Sequence, residues 1–266
     1  MPRISIGDCH LHYERHGVGF PVIFVAGLAG HASFWREQIP AFSKKFDTIA
    51  FDQRGVGESD HSRIAYTMER MADDVVKLMD ALEIEKAHLV GHSTGGAMAQ
   101  ILAVEHPKRL ASMVLAGCWT KADAFSRRCY GLRKNLLKNQ GPEAYVESTT
   151  LFFYPPFWIA KNNEKARQLE AQALATLSAP EIINSRIDAI LAFDRTADLG
   201  KIKTPTLVTC AQDDIITPAY FSEELARLIP GAEAKFFPQG GHNFIQVVGR
   251  AFNNAVLPFL QAHTPS

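Results

Sequence analysis

GHSTGGAMAQ, residues 91–100, sets a serine among glycines, after the apolar run AHLVGH (87–92) and before the helix-like AMAQILAVEH (97–106). A hydroxyl where a buried strand turns sharply into a helix is either a turn residue or a group raised for chemistry. Gly91-His92-Ser93-Thr94-Gly95 fits the pattern G-x-S-x-G. Composition alone would produce such a match in roughly one chain in ten of this length, so the flanks must decide. A nucleophile elbow needs a strand before it and a helix after it, because the strained turn projects the hydroxyl above the sheet's C-terminal edge. Both flanks are here, and Gly91, Gly95 and Gly96 leave room for close backbone approach.

Outward from the elbow, short apolar runs alternate with longer helical patterns. PVIFVAG (21–27), FDTIAFD (46–52), ASMVLAG (111–117) and PTLVTCA (205–211) are nearly continuous in apolar residues, as parallel strands covered on both faces should be. RISIG and HLHYERH read as an antiparallel start turned by Gly7 and Asp8. Thr67 is placed to cap MERMADDVVKLMDALEI, in which Met71, Val75, Met79 and Leu82 share one helical face. SEELARLI (222–229) and FIQVVGRAFNNAVLPFLQ (244–261) supply later helices. This alternation predicts an α/β fold with a mostly parallel central sheet and helices on both faces. Residues 119–200 hold only helical and aromatic material and read as a helical cap inserted into a core made of 1–118 and 201–266.

Lys plus Arg equals Asp plus Glu, 28 each in 266 residues, so no field of one sign is available to draw nucleic acid or an anionic membrane. No apolar run approaches the roughly 18 residues of a membrane span, and the polar, alternating start has no signal-peptide core. Cys9, Cys118, Cys129 and Cys210 are scattered without a CxxC pair. A reduced, cytoplasmic protein with a small-molecule partner is the expectation. Oligomeric state is not legible here.

A serine hydroxyl attacks well only when a base takes its proton. Behind such an elbow the partners follow in the order acid, then histidine. CAQDDIITP, after the strand PTLVTCA, offers Asp213 and Asp214, and PQGGHNF offers His242 in a glycine-rich loop. Two backbone amides should face the developing oxyanion: Thr94, at the positive end of the new helix, and Leu28, in the loop after VIFVAG. The aromatics of the cap and its neighbourhood nominate Trp35, Tyr130, Phe153 and Trp158 as pocket residues. Arg127 and Arg128 are candidates to meet a substrate carboxylate under the cap. His10 and His12 form H-x-H but lack further ligands at metal spacing, so neither metal nor cofactor is expected. Cys118 reads as buried filler.

AGLAG, FDQRGVGESD, GHSTGG, the Asp214 loop and the GGH loop resemble, over essentially the whole chain and in the same order, the α/β-hydrolase fold superfamily. The resemblance favours Asp214, four residues before Pro218, over Asp213 as the acid. It makes Asp52 and Arg54 pins of their loop. The first loop carries Ala26-Gly27 where the family often has His-Gly, which keeps the backbone donor and drops a side-chain contact. The cap segments SRRCYGLRKNLL and ESTTLFFYPPFWIA, with FDQRGVG, are similar to the aminoacrylate hydrolases of bacterial pyrimidine degradation. Enol-lactonases and small carboxylesterases share the framework. Members of the aminoacrylate group need not keep a serine at the elbow, and Ser93 favours covalent ester or lactone chemistry here. The expectation is a serine hydrolase with the triad Ser93, Asp214 and His242. Aminoacrylate-type or carbon–carbon bond hydrolysis and perhydrolysis on the same triad are the alternatives, and a ligand receptor with slow turnover is a further one. Dehalogenase and epoxide hydrolase chemistry is disfavoured, since those branches need a carboxylate at position 93.

Overall fold

The apolar runs become one sheet. The computed structural model describes residues 2–265. Its strands are β1 (Arg3–Ser5), β2 (His10–His16), β3 (Pro21–Val25), β4 (Asp47–Phe51), β5 (Ala87–His92), β6 (Leu110–Ala116), β7 (Thr206–Ala211) and β8 (Glu233–Phe237). They lie in the order β1-β2-β4-β3-β5-β6-β7-β8. β2 pairs antiparallel with β1 and β4, and every later pairing is parallel. β3 sits between β4 and β5, so the strand order reverses there. Open α/β sheets bind ligands outside the carboxyl ends of strands at such a reversal. The loops that leave those ends carry Leu28 and Ser93.

Strand alternation feeds two apolar layers. Ile23 and Val25 join one cluster, while Val22 and Phe24 join the other. The first layer takes α2 (Met68–Ala81), α3 (Thr94–Glu105) and α9 (Ala219–Leu228); the second takes α1 (Ile39–Phe42), α10 (Phe244–Val247) and α11 (Gly249–Ala262). Thr67 caps α2 as its position predicts, its hydroxyl accepting from Arg70 N at 3.0 Å, a contact typically worth about 1 kcal/mol. Met71, Val75 and Met79 are buried on the predicted face.

The stretch 244–261, expected as one helix, is divided between α10 and α11 at Val248 (φ −120°, ψ 36°). Gln38 Nε2 donates to Ile245 O at 2.8 Å. That bond occupies the carbonyl that would otherwise accept from Gly249 in a continuous helix. A long-range partner thus overrides local periodicity.

The insertion between β6 and β7 is helical: α4 (Ala124–Asn139), α5 (Pro142–Phe153), α6 (Pro156–Lys161), α7 (Asn163–Ala175) and α8 (Pro180–Ala192). Its two ends are drawn together by an antiparallel bridge between Lys121 and Asp194 and by Arg195 N donating to Thr120 O at 3.1 Å. Tyr130, Tyr145, Val146, Ile183 and Ile187 bury toward the same cluster that covers the sheet, which seats the cap on the core. Among the described residues, no helix is long and apolar enough to cross a membrane.

Candidate active site

Ser93 has φ 54° and ψ −117°, a conformation L-residues rarely adopt. Holding it costs about 1–3 kcal/mol, so the surroundings must over-determine it. They do. A Cβ at Gly91 would run into Gly95 O, one at Gly95 into Val25 O, and one at Gly96 into Cys118 Sγ. Ser93 N donates to Ala116 O at 2.8 Å, fixing the turn to β6, while Ser93 O accepts from Gly96 and Ala97 to start α3. Cys118 is filler here: burial pushes its thiol up to about 12, far from the thiolate a nucleophile would need.

His242 Nδ1 lies 2.8 Å from Asp214 Oδ2. Asp214 in turn accepts from Ile216 N and Thr217 N, both at 2.9 Å on Oδ1, and from the Thr217 hydroxyl at 2.7 Å on Oδ2. A carboxylate gripped on both oxygens cannot swing. Asp213 does different work: its Oδ1 accepts from Gly241 N at 2.8 Å and holds the histidine loop. The two adjacent acids are therefore divided between orienting the imidazole and shaping the turn that carries it. Asn243 N donates to Phe153 O at 2.9 Å, so the same loop is also tied to the cap.

His92 is a residue the sequence did not single out. Its Nε2 donates to His242 O at 2.9 Å, and its ring stacks on Phe34 with centroids 4.7 Å apart. Burial, reinforced by His242 beside it, holds its pKa well below the ordinary imidazole value. It is a neutral clamp on the histidine loop. Thr217 was missed too; an acid followed three residues later by threonine is the Asx-turn signal that could have found it.

The loop after β3 turns by Gly30 N donating to Gly27 O at 2.9 Å, and a Cβ at Gly27 would stand 3.2 Å from Ser93 Cβ. The Leu28 and Thr94 amides donate to no other group among the described residues. The segment after β4 grips this loop. Asp52 accepts from Ala32 N at 2.7 Å, Gln53 Nε2 donates to Ala26 O at 2.7 Å, and Gln53 N donates to Gly30 O at 2.9 Å. Arg54 pairs with Asp74 and Asp8. From the cap, Arg186 reaches down to donate to Leu28 O at 3.2 Å, Arg54 O at 3.0 Å and Gln53 Oε1. Ser93 and His242, 3% and 1% exposed, lie beneath this covered edge.

The pocket candidates separate. Phe153 packs edge-on against His242, centroids 4.9 Å apart, and Tyr130 is buried. Trp158 is half-buried and stacks on Tyr154 at 4.2 Å. Trp35 is corrected: it is fully buried in the layer on the far side of β3, against Phe24 and Phe34, as core. Arg127 and Arg128 are corrected as well. Both are exposed, and Arg128 Nη1 turns back to Ala124 O. The inward face of α4 is Ser126, Cys129, Tyr130, Arg133 and Leu137. Helical spacing from Tyr130 would have picked out Arg133 instead. His10 contacts Asp60 and His12 contacts Pro2 O, and no group of three metal-ligating side chains converges among the described residues.

With this geometry in place, comparison with known proteins is informative. Residues 21–246 match the family described as alpha/beta hydrolase fold. The chain is 39% identical to RutD of Azorhizobium caulinodans, covering 97% of this chain and 98% of that one. It is also 39% identical to RutD of Caulobacter vibrioides, covering 98% and 99%. Both relatives are named as candidate carbamate hydrolases. The enol-lactonase of Burkholderia xenovorans LB400 superposes with a TM-score of 0.90 at 25% identity, covering 98% of this chain and 100% of that one. A thermophilic esterase of Thermogutta terrifontis gives 0.88 at 25% identity over 99% of each. The open sheet, the elbow after β5 and these relatives together make this chain a member of the α/β-hydrolase family, and a hydrolase.

Proposed function

We propose that the protein is a serine hydrolase that cleaves a small carboxylic ester or lactone through an acyl-enzyme on Ser93. The strained backbone of Ser93, one residue after the His92 that contacts His242 of the Asp214–His242 pair, is the observation that carries this reading. Ser93 Oγ bonds to the carbonyl carbon as its proton passes to His242 Nε2. Asp214 holds Nδ1 protonated and stabilises the imidazolium. The Leu28 and Thr94 amides donate to the oxyanion, each worth roughly 3–4 kcal/mol in the transition state. Collapse of the intermediate breaks the C–O bond, and the alcohol leaves with the proton from His242. Water then attacks the acyl carbon, its proton passing through His242 back to Ser93 Oγ as the acid departs.

The names carried by the RutD relatives favour a second reading, a carbamate substrate attacked at its carbonyl by the same residues. Steady-state hydrolysis of 4-nitrophenyl acetate and of a 4-nitrophenyl carbamate, by wild type and by Ser93→Ala, tests both. Ester turnover that disappears in Ser93→Ala is the expected result. Ester turnover that survives the substitution overturns the covalent reading, and turnover confined to the carbamate replaces the substrate class.

A further inference from the structure

Arg133 lies on the inward face of α4 and is 1% exposed. Its Nη2 donates to Tyr145 OH at 3.0 Å and to Thr149 Oγ1 at 2.9 Å. Its Nε and Nη1 are buried without an acceptor, and no carboxylate is paired with it among the described residues. Around the guanidinium stand three rings, with Cζ 4.8 Å from the centroid of Tyr145, 5.1 Å from Phe153 and 5.6 Å from Tyr130. Phe153 is the same ring that packs on His242. One aromatic ring therefore separates an unneutralised buried cation from the catalytic imidazole.

Burying a guanidinium is unfavourable by several kcal/mol unless its charge and its donors are met. The other fully buried arginines have their donors met. Arg54 has two carboxylates, and Arg186 has an acceptor at every nitrogen. Cation–π contact with three rings and two hydroxyl acceptors offset only part of the burden at Arg133. Most of its N–H donors remain free, in a wall otherwise aromatic.

We propose that Arg133 is the anchor for a carboxylate on the substrate, and that the natural substrate is a small monoanionic acyl compound. It carries its carboxylate at the end remote from the scissile carbonyl, with an apolar stretch between them lying along Phe153 and Tyr130. This rests on the assignment of Ser93 and His242 as the reacting centre and specifies what they act on. A half-ester of a short dicarboxylic acid meets this description. Arginine suits the task because its donors form a directional fork that matches a carboxylate.

The test uses half methyl esters of malonate, succinate, glutarate and adipate, each against the neutral methyl ester of the same chain length with a methyl group in place of the free carboxylate. Wild type should favour at least one half-ester over its neutral counterpart by about tenfold or more in kcat/KM. Arg133→Met should lower kcat/KM for that half-ester by about 10²–10³-fold and leave the neutral ester within about threefold, with Arg133→Lys between the two. Absence of any preference in wild type overturns the proposal. So does an equal loss on both substrates in Arg133→Met, which would mark Arg133 as a strut between α4 and α5.

If Arg133→Met fails to fold, wild type alone still decides. Free glutarate or succinate should compete with a neutral ester where the corresponding diamide does not, and equal inhibition by both overturns the anchor. Calorimetric titration of Ser93→Ala with the same dianions separates the two layers of the reading. Binding there, without any ester turnover in wild type, would retain the anchor and remove the acyl-enzyme. Ester turnover without dianion binding would do the reverse.

Discussion

The loops beneath the site and the cap above it treat charge in opposite ways. Below, each charged group is closed into a circuit. Asp214 is held by two amides and a hydroxyl and Arg54 by Asp74 and Asp8, and Arg186, reaching down from the cap, finds three acceptors among these loops. Above, Arg133 is as deeply buried as Arg186 and has only two hydroxyls. A buried charge with all its partners is architecture, because moving it would strand several groups at once. A buried charge with donors to spare is a place for something the chain does not itself contain. The two arginines of the cap, one reaching down and one unspent, show both cases on neighbouring helices.

The sharpest way to break the lower circuit is at its acid. Asp214→Asn should reduce kcat by about 10³–10⁴-fold, since an amide no longer enforces the imidazole tautomer that accepts the serine proton. Asp213→Asn is the control one residue away. Asparagine keeps an oxygen that can accept from Gly241 N, so its effect should stay within about tenfold. Steady-state kinetics on one ester compare the pair, and losses of similar size would remove the division of labour between the two acids.

Arg186 tests whether the cap positions the oxyanion loop. Burial brings its pKa down to about 10, so it remains a cation at neutral pH. Arg186→Met strands the carbonyls of Leu28 and Arg54 and the Gln53 amide oxygen, and should destabilise the fold by about 2–3 kcal/mol. Leu28 would also lose the bond that fixes its carbonyl, and hence the amide plane around it. kcat should then fall about 10–10²-fold with KM little changed, because the affected interaction is made in the transition state. A drop in melting temperature with kcat intact would make Arg186 a structural tie alone.

The lower circuit was largely legible in the sequence, and the upper one was not. G-x-S-x-G between a strand and a helix, an acid after PTLVTCA and a histidine in GGH are local signals, since backbone strain and strand ends impose their residues. The roles of Asp213 and Asp214 could not be divided from order alone; the division depends on which side of the loop Gly241 and His242 occupy. His92 was hidden because its partner, the carbonyl of His242, is 150 residues away. In the cap, residue type alone points to Arg127 and Arg128, and only the α4 face that Tyr130 defines points to Arg133. Trp35 failed for the opposite reason: a large aromatic near the first loop is as good a core residue as a pocket wall, and here Phe24 claims it.

The smallest expected effect concerns the other end of β5. The strand begins at Ala87-His88 and ends at His92, so it carries a buried imidazole near each end. His92 clamps the loop that carries His242, whereas His88 contacts Ser112 Oγ at 2.8 Å and Thr264 Oγ1 at 3.0 Å. Burial lowers the pKa of His88 from 6.5 to about 4. The unfolded chain therefore takes up a proton that the fold refuses. The contribution of His88 is complete above its unfolded value of about 6.5 and is lost as pH falls toward about 4. At about pH 5 that loss is on the order of 2 kcal/mol. Carboxylates add their own acid dependence, so the reading is a difference. Urea unfolding of wild type and His88→Gln at about pH 7.5 and pH 5 should show the variant losing about 2 kcal/mol less between the two, with kcat within about twofold of wild type. Equal acid sensitivity would mean that the His88 site admits the proton. A large fall in kcat would mean that the two ends of β5 are coupled, and that the lower circuit extends the length of the strand.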